Sequence, residues 1–557
     1  MNIYIKSDRE WLYPDEDLCG SKQYANEKKE LHTAIGSDTG FQLLVNGCEG
    51  ALQVSCEGEI KANVNILRDV LVNYNSTGEG SGFKDNRFVY HKPPHTLPLN
   101  CTRKAPFRVY DAYKPYEGEA PANGKIAFYI CFDVNDTIKK GVYHVKVTVK
   151  DAAGTREINA VIRVYGAKVS GEKKFSLTNW FCLKNMARFH NVPLFCEEHF
   201  RYIEKYADAM LRMRQTHFWI TTEYVTVTES AGGYQFDFSL VERLAKLFFD
   251  KGFRAMEFGQ LGMRKRVFHK KLSVLQFHDI LVDSAKGKDI LESFLSQWAA
   301  VVEKNNWHEK IIYHLADEPD EPLDMIPDRR KQYDILHSML HKYFPAAAVC
   351  EAVKTAQFSD YIDIMVPLSE TYEKNKGAFD RIKSDCGELW FYVCCVPDGS
   401  YCQRFLDNPL ISSRVLFWAA AKYAFTGFLH WGFNLMEEDQ DPFEQTNQFH
   451  TYGDGVCLPA GDSHIVYPDG DTLYYSMRLE AGRKGIEDLE MLNMLKESNA
   501  ELFEGLIKEV SPSFIYTADE EKMNEAYIGL LTALENDTEA FYGQCRQYVS
   551  SAAKQYG

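Results

Sequence analysis

At 557 residues the chain is too long for one ordinary core, and a composition of 45% hydrophobic and 25% charged residues predicts a globular protein of two or three domains. Its net charge of −16 argues against nucleic acid or an anionic membrane as partner and suits a neutral substrate. No stretch approaches the roughly 18 apolar residues of a membrane helix, so no membrane span is expected, and the 14 cysteines lack paired Cys-x-x-Cys spacing.

The first twenty residues, Met1 to Gly20, mix acids and bases where a signal peptide needs an unbroken apolar run. The expectation is a cytoplasmic protein with reduced thiols. Up to residue 168 the chain reads as β-structure: Phe41–Val45, Ala51–Cys56, Lys125–Phe132, Val142–Val149 and Ile158–Val164 are β-branched or aromatic runs between Gly, Asn and Asp turns. Residues 1–168 are therefore expected to form a β-sandwich. Asn73–Pro98, rich in Gly, Lys, His and Pro, is expected to be a long loop.

A polar link at Gly166–Lys174 precedes a change of pattern, and residues 172–435 alternate strands with helices. The strands expected are Leu177–Phe181, His217–Thr222, Phe253–Phe258, Ile311–Ala316, Ala346–Cys350, Ile362–Val366, Leu389–Cys395 and Gly427–Gly432. Helical patterns lie between them at Glu198–Arg214, Leu240–Lys251, Ile290–Asn305, Arg330–Tyr343 and Leu410–Tyr423. Eight such strands are what a (β/α)8 TIM-type barrel requires, giving an α/β and β multidomain fold class overall. Residues 436–557 are expected to supply a hairpin, from Gly453–Leu458 to Val466–Pro468, and helices packed on the barrel. Cys394, Cys395 and Cys402 read as small buried hydrophobes rather than a metal site, and no metal or cofactor is expected.

The fourth strand carries the chemistry. Ile311–Ala316 is an apolar run that climbs to Asp317 and Glu318 and stops at Pro319, which cannot donate to a ladder and biases Glu318 toward extended geometry. In a barrel the pocket lies at the C-terminal strand ends. Neighbours within a strand point to opposite faces, but at its end the chain is turning and both carboxylates can face the pocket. The plainer alternative is a capping Asp and a solvated Glu. His314, inside the strand, reads as a hydrogen-bonded core histidine rather than a catalyst.

Several further motifs, together with Asp317-Glu318-Pro319, resemble glycoside hydrolase family 123. They are Asn179-Trp180-Phe181, Trp390–Cys394, His430–Asn434 and the downstream GDGVCLP…IVYPDG…SMRLEAGRKGIEDLEML. The resemblance covers roughly residues 100–500. It implies a β-sandwich followed by a (β/α)8 barrel, and retaining hydrolysis of terminal β-linked N-acetylgalactosamine assisted by the substrate's 2-acetamido group. It also implies that Asp317 orients the acetamide while ionised and that Glu318, protonated on arrival, is the general acid and later the base. Trp180 and Trp431 are placed either to stack on sugar or to fill the core. Tyr392 or Tyr372 is a candidate donor to the acetamide oxygen, and Glu257 and Asn434 are candidates for sugar hydroxyls or for loop amides. The expected partner is a small oligosaccharide or glycoside; a glycosidase acting on another sugar, or a carbohydrate-binding protein without turnover, is the alternative.

Overall fold

The computed structural model describes residues 1–16, 28–76, 83–84, 87–88, 101–264 apart from 153 and 170, 271–321, 326–448 apart from 398, and 458–536. Most of the expected loop at Asn73–Pro98, and the motif Gly453–Cys457, lie outside the described residues.

The N-terminal part is two sheets face to face. The larger runs Asn2–Ser7, Thr39–Asn46, Lys125–Phe132, Ala62–Val72, Phe107–Pro115, Thr472–Ser476, Tyr467–Asp469; the smaller runs Lys28–Ile35, Gly154–Lys168, Gly141–Asp151, Gln53–Gly58. In Gly141–Asp151 alternate residues Val145, Val147 and Val149 turn inward, the period of two that a half-buried strand demands. They meet Phe41, Leu43, Phe128 and Ile130 of the larger sheet. That sheet is covered on its other face too, where Leu44, Val70, Val109 and Tyr129 share a core with Leu410, Phe443 and Met477. Double coverage explains why Thr39–Asn46 and Lys125–Phe132 are buried almost without a break.

The C-terminal hairpin lies later in the chain than Gly453–Leu458 to Val466–Pro468: its strands are Tyr467–Asp469 and Thr472–Ser476. Its turn meets helix Glu197–Arg212, where Tyr202 donates to Asp471 at 3.0 Å. Tyr475 and Ser476 pair with Tyr113 and Ala112, so the hairpin extends the larger N-terminal sheet. The reason is the edge: Phe107–Pro115 would otherwise present a row of unpaired backbone groups.

All eight expected parallel strands form: β1 (Ser176–Asn179), β2 (His217–Thr221), β3 (Ala255–Gly259), β4 (Ile311–His314), β5 (Ala348–Val353), β6 (Ile364–Pro367), β7 (Trp390–Tyr392) and β8 (Gly427–His430). They make one five-stranded ladder, β2-β3-β4-β5-β6, and one of three, β1-β8-β7. Between β1 and β2 the Thr216 amide donates to the Leu177 carbonyl at 3.1 Å, and beyond β6 Leu368 bridges to Tyr392 of β7. Helices fill the connections, except that β5 runs to β6 through turns alone. Ala285–Asn305 shows how they are bounded: Ser284 Oγ caps the Gly287 amide at 3.0 Å, and Asn306 ends the helix in the left-handed conformation.

Helix Met477–Ser498 is buried on nearly all sides between the two halves. A Cβ on Gly485 would stand 2.4 Å from the Arg414 carbonyl, so this helix touches the backbone of helix Ser412–Tyr423. Its polar residues are paired rather than solvated. Arg478 meets Asp111 of the N-terminal sheet at 2.9 Å, Glu480 meets Arg212 at 2.8 Å, and Asp488 meets Arg414 at 2.6 Å. Helix Ala500–Val510 follows, with Phe503, Ile507 and Val510 in the core shared by the parallel strands. Among the described residues no helix is long and apolar enough to cross a membrane.

Candidate active site

The β4 ladder ends at His314, two residues before the sequence pattern suggests. The amides of Leu315 and Ala316 leave it for a side chain, donating to Glu351 Oε1 of β5 at 2.6 and 2.8 Å. Glu318 then takes φ +43°, a left-handed conformation costly for a residue other than glycine. This corrects the extended geometry expected before Pro319. The turn has a consequence: both carboxylates come to one side, where Arg264 Nη2 lies 2.8 Å from Asp317 and 3.8 Å from Glu318.

Four groups that sequence reasoning did not single out complete the site. Arg264 ends a short strand of the three-stranded antiparallel sheet inserted after β3. Lys354, directly after β5, places Nζ 3.2 Å from Glu318 Oε1. Asp320 fixes that lysine's backbone by accepting the Lys354 amide at 3.0 Å and the Thr355 amide at 2.5 Å. Glu321 stands 3.9 Å from Lys354. Lys354 was findable, since it follows an apolar strand as Asp317 does; Arg264, on an inserted hairpin, carries no such signal.

The predicted site residues separate into two groups. Tyr392, at the end of β7, donates its hydroxyl to Glu318 Oε1 at 2.7 Å. Trp180 and Trp431 are partly exposed and pack against one aromatic and aliphatic cluster with Tyr392. Each indole is held from behind, Trp180 by Glu257 at 2.7 Å and Trp431 by Asp462 at 3.2 Å. Trp180 also stacks on Trp219, centroids 4.7 Å apart.

Glu257, Tyr372 and Asn434 are placed elsewhere. Glu257 is fully buried, and its Oε1 accepts from Trp180 and bonds His314 Nε2 at 2.5 Å, so it supports the site from below. Tyr372 lies on helix Ser369–Lys374, buried against Phe425, with its hydroxyl given to Asp380 at 2.8 Å. The Asn434 side chain accepts from the Cys182 amide at 2.8 Å and donates to the Cys182 carbonyl at 3.1 Å. It satisfies loop amides, the second of its two expected roles. His314 is the expected core histidine, clamped between Glu257 and, at 2.9 Å, Glu351; burial disfavours its charge, but the two carboxylates outweigh this and raise its pKa.

The electrostatics invert one expectation. Burial alone would raise Glu318, yet the Lys354 ammonium and Arg264 guanidinium hold it well below the usual carboxylate range. Asp317 is pushed up, by burial first and by the Glu318 charge, with Arg264 opposing. The free site therefore favours an ionised Glu318.

Adjacent carboxylates just beyond the C-terminal end of a parallel strand, with partly exposed indoles packed in one cluster with Tyr392, suit the hydrolysis of a glycoside. Residues 180–495 match the glycoside hydrolase 123 catalytic domain, and the chain belongs to that family. No curated protein matches the chain. Among solved structures, a family 123 glycoside hydrolase from Clostridium perfringens, described in a structural analysis of glycolipid glycan hydrolysis, shares the fold. Its TM-score is 0.72 at 15% identity, over 99% of each chain. A GH39 enzyme from Xanthomonas axonopodis pv. citri aligns with a TM-score of 0.37 at 12% identity, over 57% of this chain and 67% of its own. A GH10 xylanase from termite gut gives 0.35 at 11%, over 63% and 86%.

Proposed function

We propose that the protein is a retaining, exo-acting β-N-acetylgalactosaminidase that uses the substrate's 2-acetamido group as nucleophile. Its frame is read as a (β/α)8 barrel in which the β1/β2 and β6/β7 contacts close the two ladders into one ring.

The observation that carries the mechanism is that Asp317 and Glu318 draw on one guanidinium nitrogen, at 2.8 and 3.8 Å. A retaining enzyme with its own nucleophile needs carboxyls about 5–5.5 Å apart on either side of the scissile bond. Side-by-side acids do not flank a sugar. They suit a reaction in which the acetamide carbonyl attacks the anomeric carbon from within the substrate. Asp317 then accepts the acetamide N–H and offsets the positive oxazolinium. That new hydrogen bond favours its ionised form and counters the upward shift in the free site. Glu318 gives a proton to the leaving oxygen and afterwards takes one from the attacking water. Tyr392 serves as the acetamide-oxygen donor once substrate displaces its bond to Glu318, and Trp180 and Trp431 present indoles to the sugar's apolar face.

The test is a panel of 4-nitrophenyl β-glycosides with and without the 2-acetamido group, with the anomeric configuration of the product followed by NMR. Cleavage confined to 2-acetamido substrates, retention of the β configuration and inhibition by a thiazoline mimic are expected. Asp317→Asn should impair every substrate, whereas Glu318→Gln should spare much of the first step for an activated aryl leaving group. Inversion, or equal turnover of a 2-hydroxy glycoside, overturns the proposal.

A further inference from the structure

An ionised Glu318 cannot protonate a leaving group, and the neighbouring side chains point to where the missing proton is kept. Glu318 Oε1 accepts from the Tyr392 hydroxyl at 2.7 Å and faces Lys354 Nζ at 3.2 Å; Oε2 lies 3.8 Å from Arg264. A carboxyl surrounded by these donors is the anion. The Glu321 carboxyl crowds the same ammonium, Lys354 Nζ lying 3.2 Å from Glu318 Oε1 and 3.9 Å from Glu321 Oε2. Two carboxyls sharing one site do not both ionise readily, and the one with fewer donors around it is the one that keeps a proton. The turn makes the meeting structural: the Glu321 amide donates to the Glu318 carbonyl at 3.1 Å, and Lys354 spans both side chains.

We propose that Glu321 is a positioning residue that holds the general acid's proton in the free enzyme and passes it to Glu318 as the leaving group departs. The inference rests on Glu318 being the general acid. In the first step the C–O bond electrons go to the leaving oxygen, which takes the proton from Glu318 Oε. Glu318 takes one from Glu321, and Glu321 is left as the anion beside Lys354. In the second step water attacks the oxazolinium, its proton goes to Glu318, and the proton on the pair returns to Glu321. Protons and charge balance over the cycle.

The charged and titratable groups facing the pair are Arg264 from the three-stranded sheet after β3, Arg329 from the helix after β4, Lys354 after β5, Tyr392 at the end of β7, Cys394 just beyond it, and the adjacent Asp317 and Asp320. In that field burial, then the Glu318 charge, push Glu321 up to about 7, with Lys354 opposing. The pair thus holds a single proton over the range in which Glu318 alone would hold none.

The test is Glu321→Gln, which keeps a donor to Glu318 but cannot surrender a proton, with Glu321→Asp as the conservative control. On methyl β-N-acetylgalactosaminide, kcat/KM should fall at least tenfold in the first variant, with its alkaline limb moved down by at least one pH unit. On 4-nitrophenyl β-N-acetylgalactosaminide it should fall less than threefold, and Glu321→Asp should restore the limb. Unchanged limbs in an active Glu321→Gln enzyme overturn the proposal. A wild type that cleaves no 2-acetamido glycoside sinks the functional reading instead. The proton is then read directly: in carboxyl-13C-glutamate protein, infrared spectra should show one protonated carboxyl lost from Glu321→Gln between pH 5 and 6. Superimposable spectra overturn the proposal.

Discussion

Arg478→Met should destabilise the protein rather than silence it. The guanidinium is fully buried and holds Asp111 at 2.9 Å, while donating to the carbonyls of Arg404, Gly461 and His464 at 3.0, 2.6 and 3.0 Å. Methionine matches much of the volume but none of these bonds. Leaving one partner of a buried ion pair uncompensated costs about 3–5 kcal/mol, and each carbonyl stripped of its donor adds about 1 kcal/mol. The expected loss is at least about 5 kcal/mol, comparable with the whole stability of an ordinary domain. Differential scanning fluorimetry should show a melting midpoint lowered by on the order of 10 °C. Folded material assayed at low temperature should keep kcat/KM within threefold of wild type. Because replacing both members of a buried pair by apolar groups is often near neutral, Asp111→Leu combined with Arg478→Met should recover part of the loss. A single variant that melts like wild type, or one that is stable but inactive, refutes this reasoning and moves Arg478 into the chemistry.

Lys354→Met removes an ammonium 3.2 Å from Glu318, an attraction of roughly 5 kcal/mol at an effective dielectric of 20, reduced by the partial exposure of both side chains. Since Lys354 favours the carboxylate, its loss lets the acid hold its proton to higher pH; the alkaline limb of kcat/KM should rise by at least one pH unit, and a limb that stays or falls contradicts the assignment. Trp431→Ala should raise KM or lower turnover with a change in melting midpoint under 3 °C, because its indole is partly exposed; unchanged kinetics in a destabilised variant would make it a core residue. Tyr372→Phe should leave kinetics within twofold of wild type and cost about 1 kcal/mol of stability through its lost bond to Asp380; a large kinetic defect would bring it back into the site.

What was legible in the sequence follows from how local each signal is. All eight parallel strands were readable because burial on both faces makes continuous apolar runs, and Asp317-Glu318-Pro319 was readable because a run that climbs to acids and meets proline must end. The two-stranded hairpin after β2, Thr226–Ser230 and Gly233–Asp237, and the three-stranded sheet after β3 were not, their strands being only three to five residues long, and with the second went Arg264. Buried acids misled in a consistent way. Glu257 at the end of an apolar strand reads as a residue aimed at a pocket, but it is an anchor for His314 and Trp180, and only the partner strands reveal that.

The stretch SMRLEAGRKGIEDLEML, one of those that carry the family resemblance, is instructive for the same reason. Arg478, Glu480, Arg483, Glu487 and Asp488 are all buried, yet their side chains turn away from the Asp317–Glu318 site: they reach Asp111, Arg212, Ser37, Arg414 and one another. A helix that lies between a sheet sandwich and the parallel strands can bury charge only if each charge finds its one partner across the interface. That requirement fixes the residue types tightly, without any contact to substrate. The helix therefore marks how the two halves are joined, whereas the chemistry is marked by a much shorter signal, two acids and a left-handed turn.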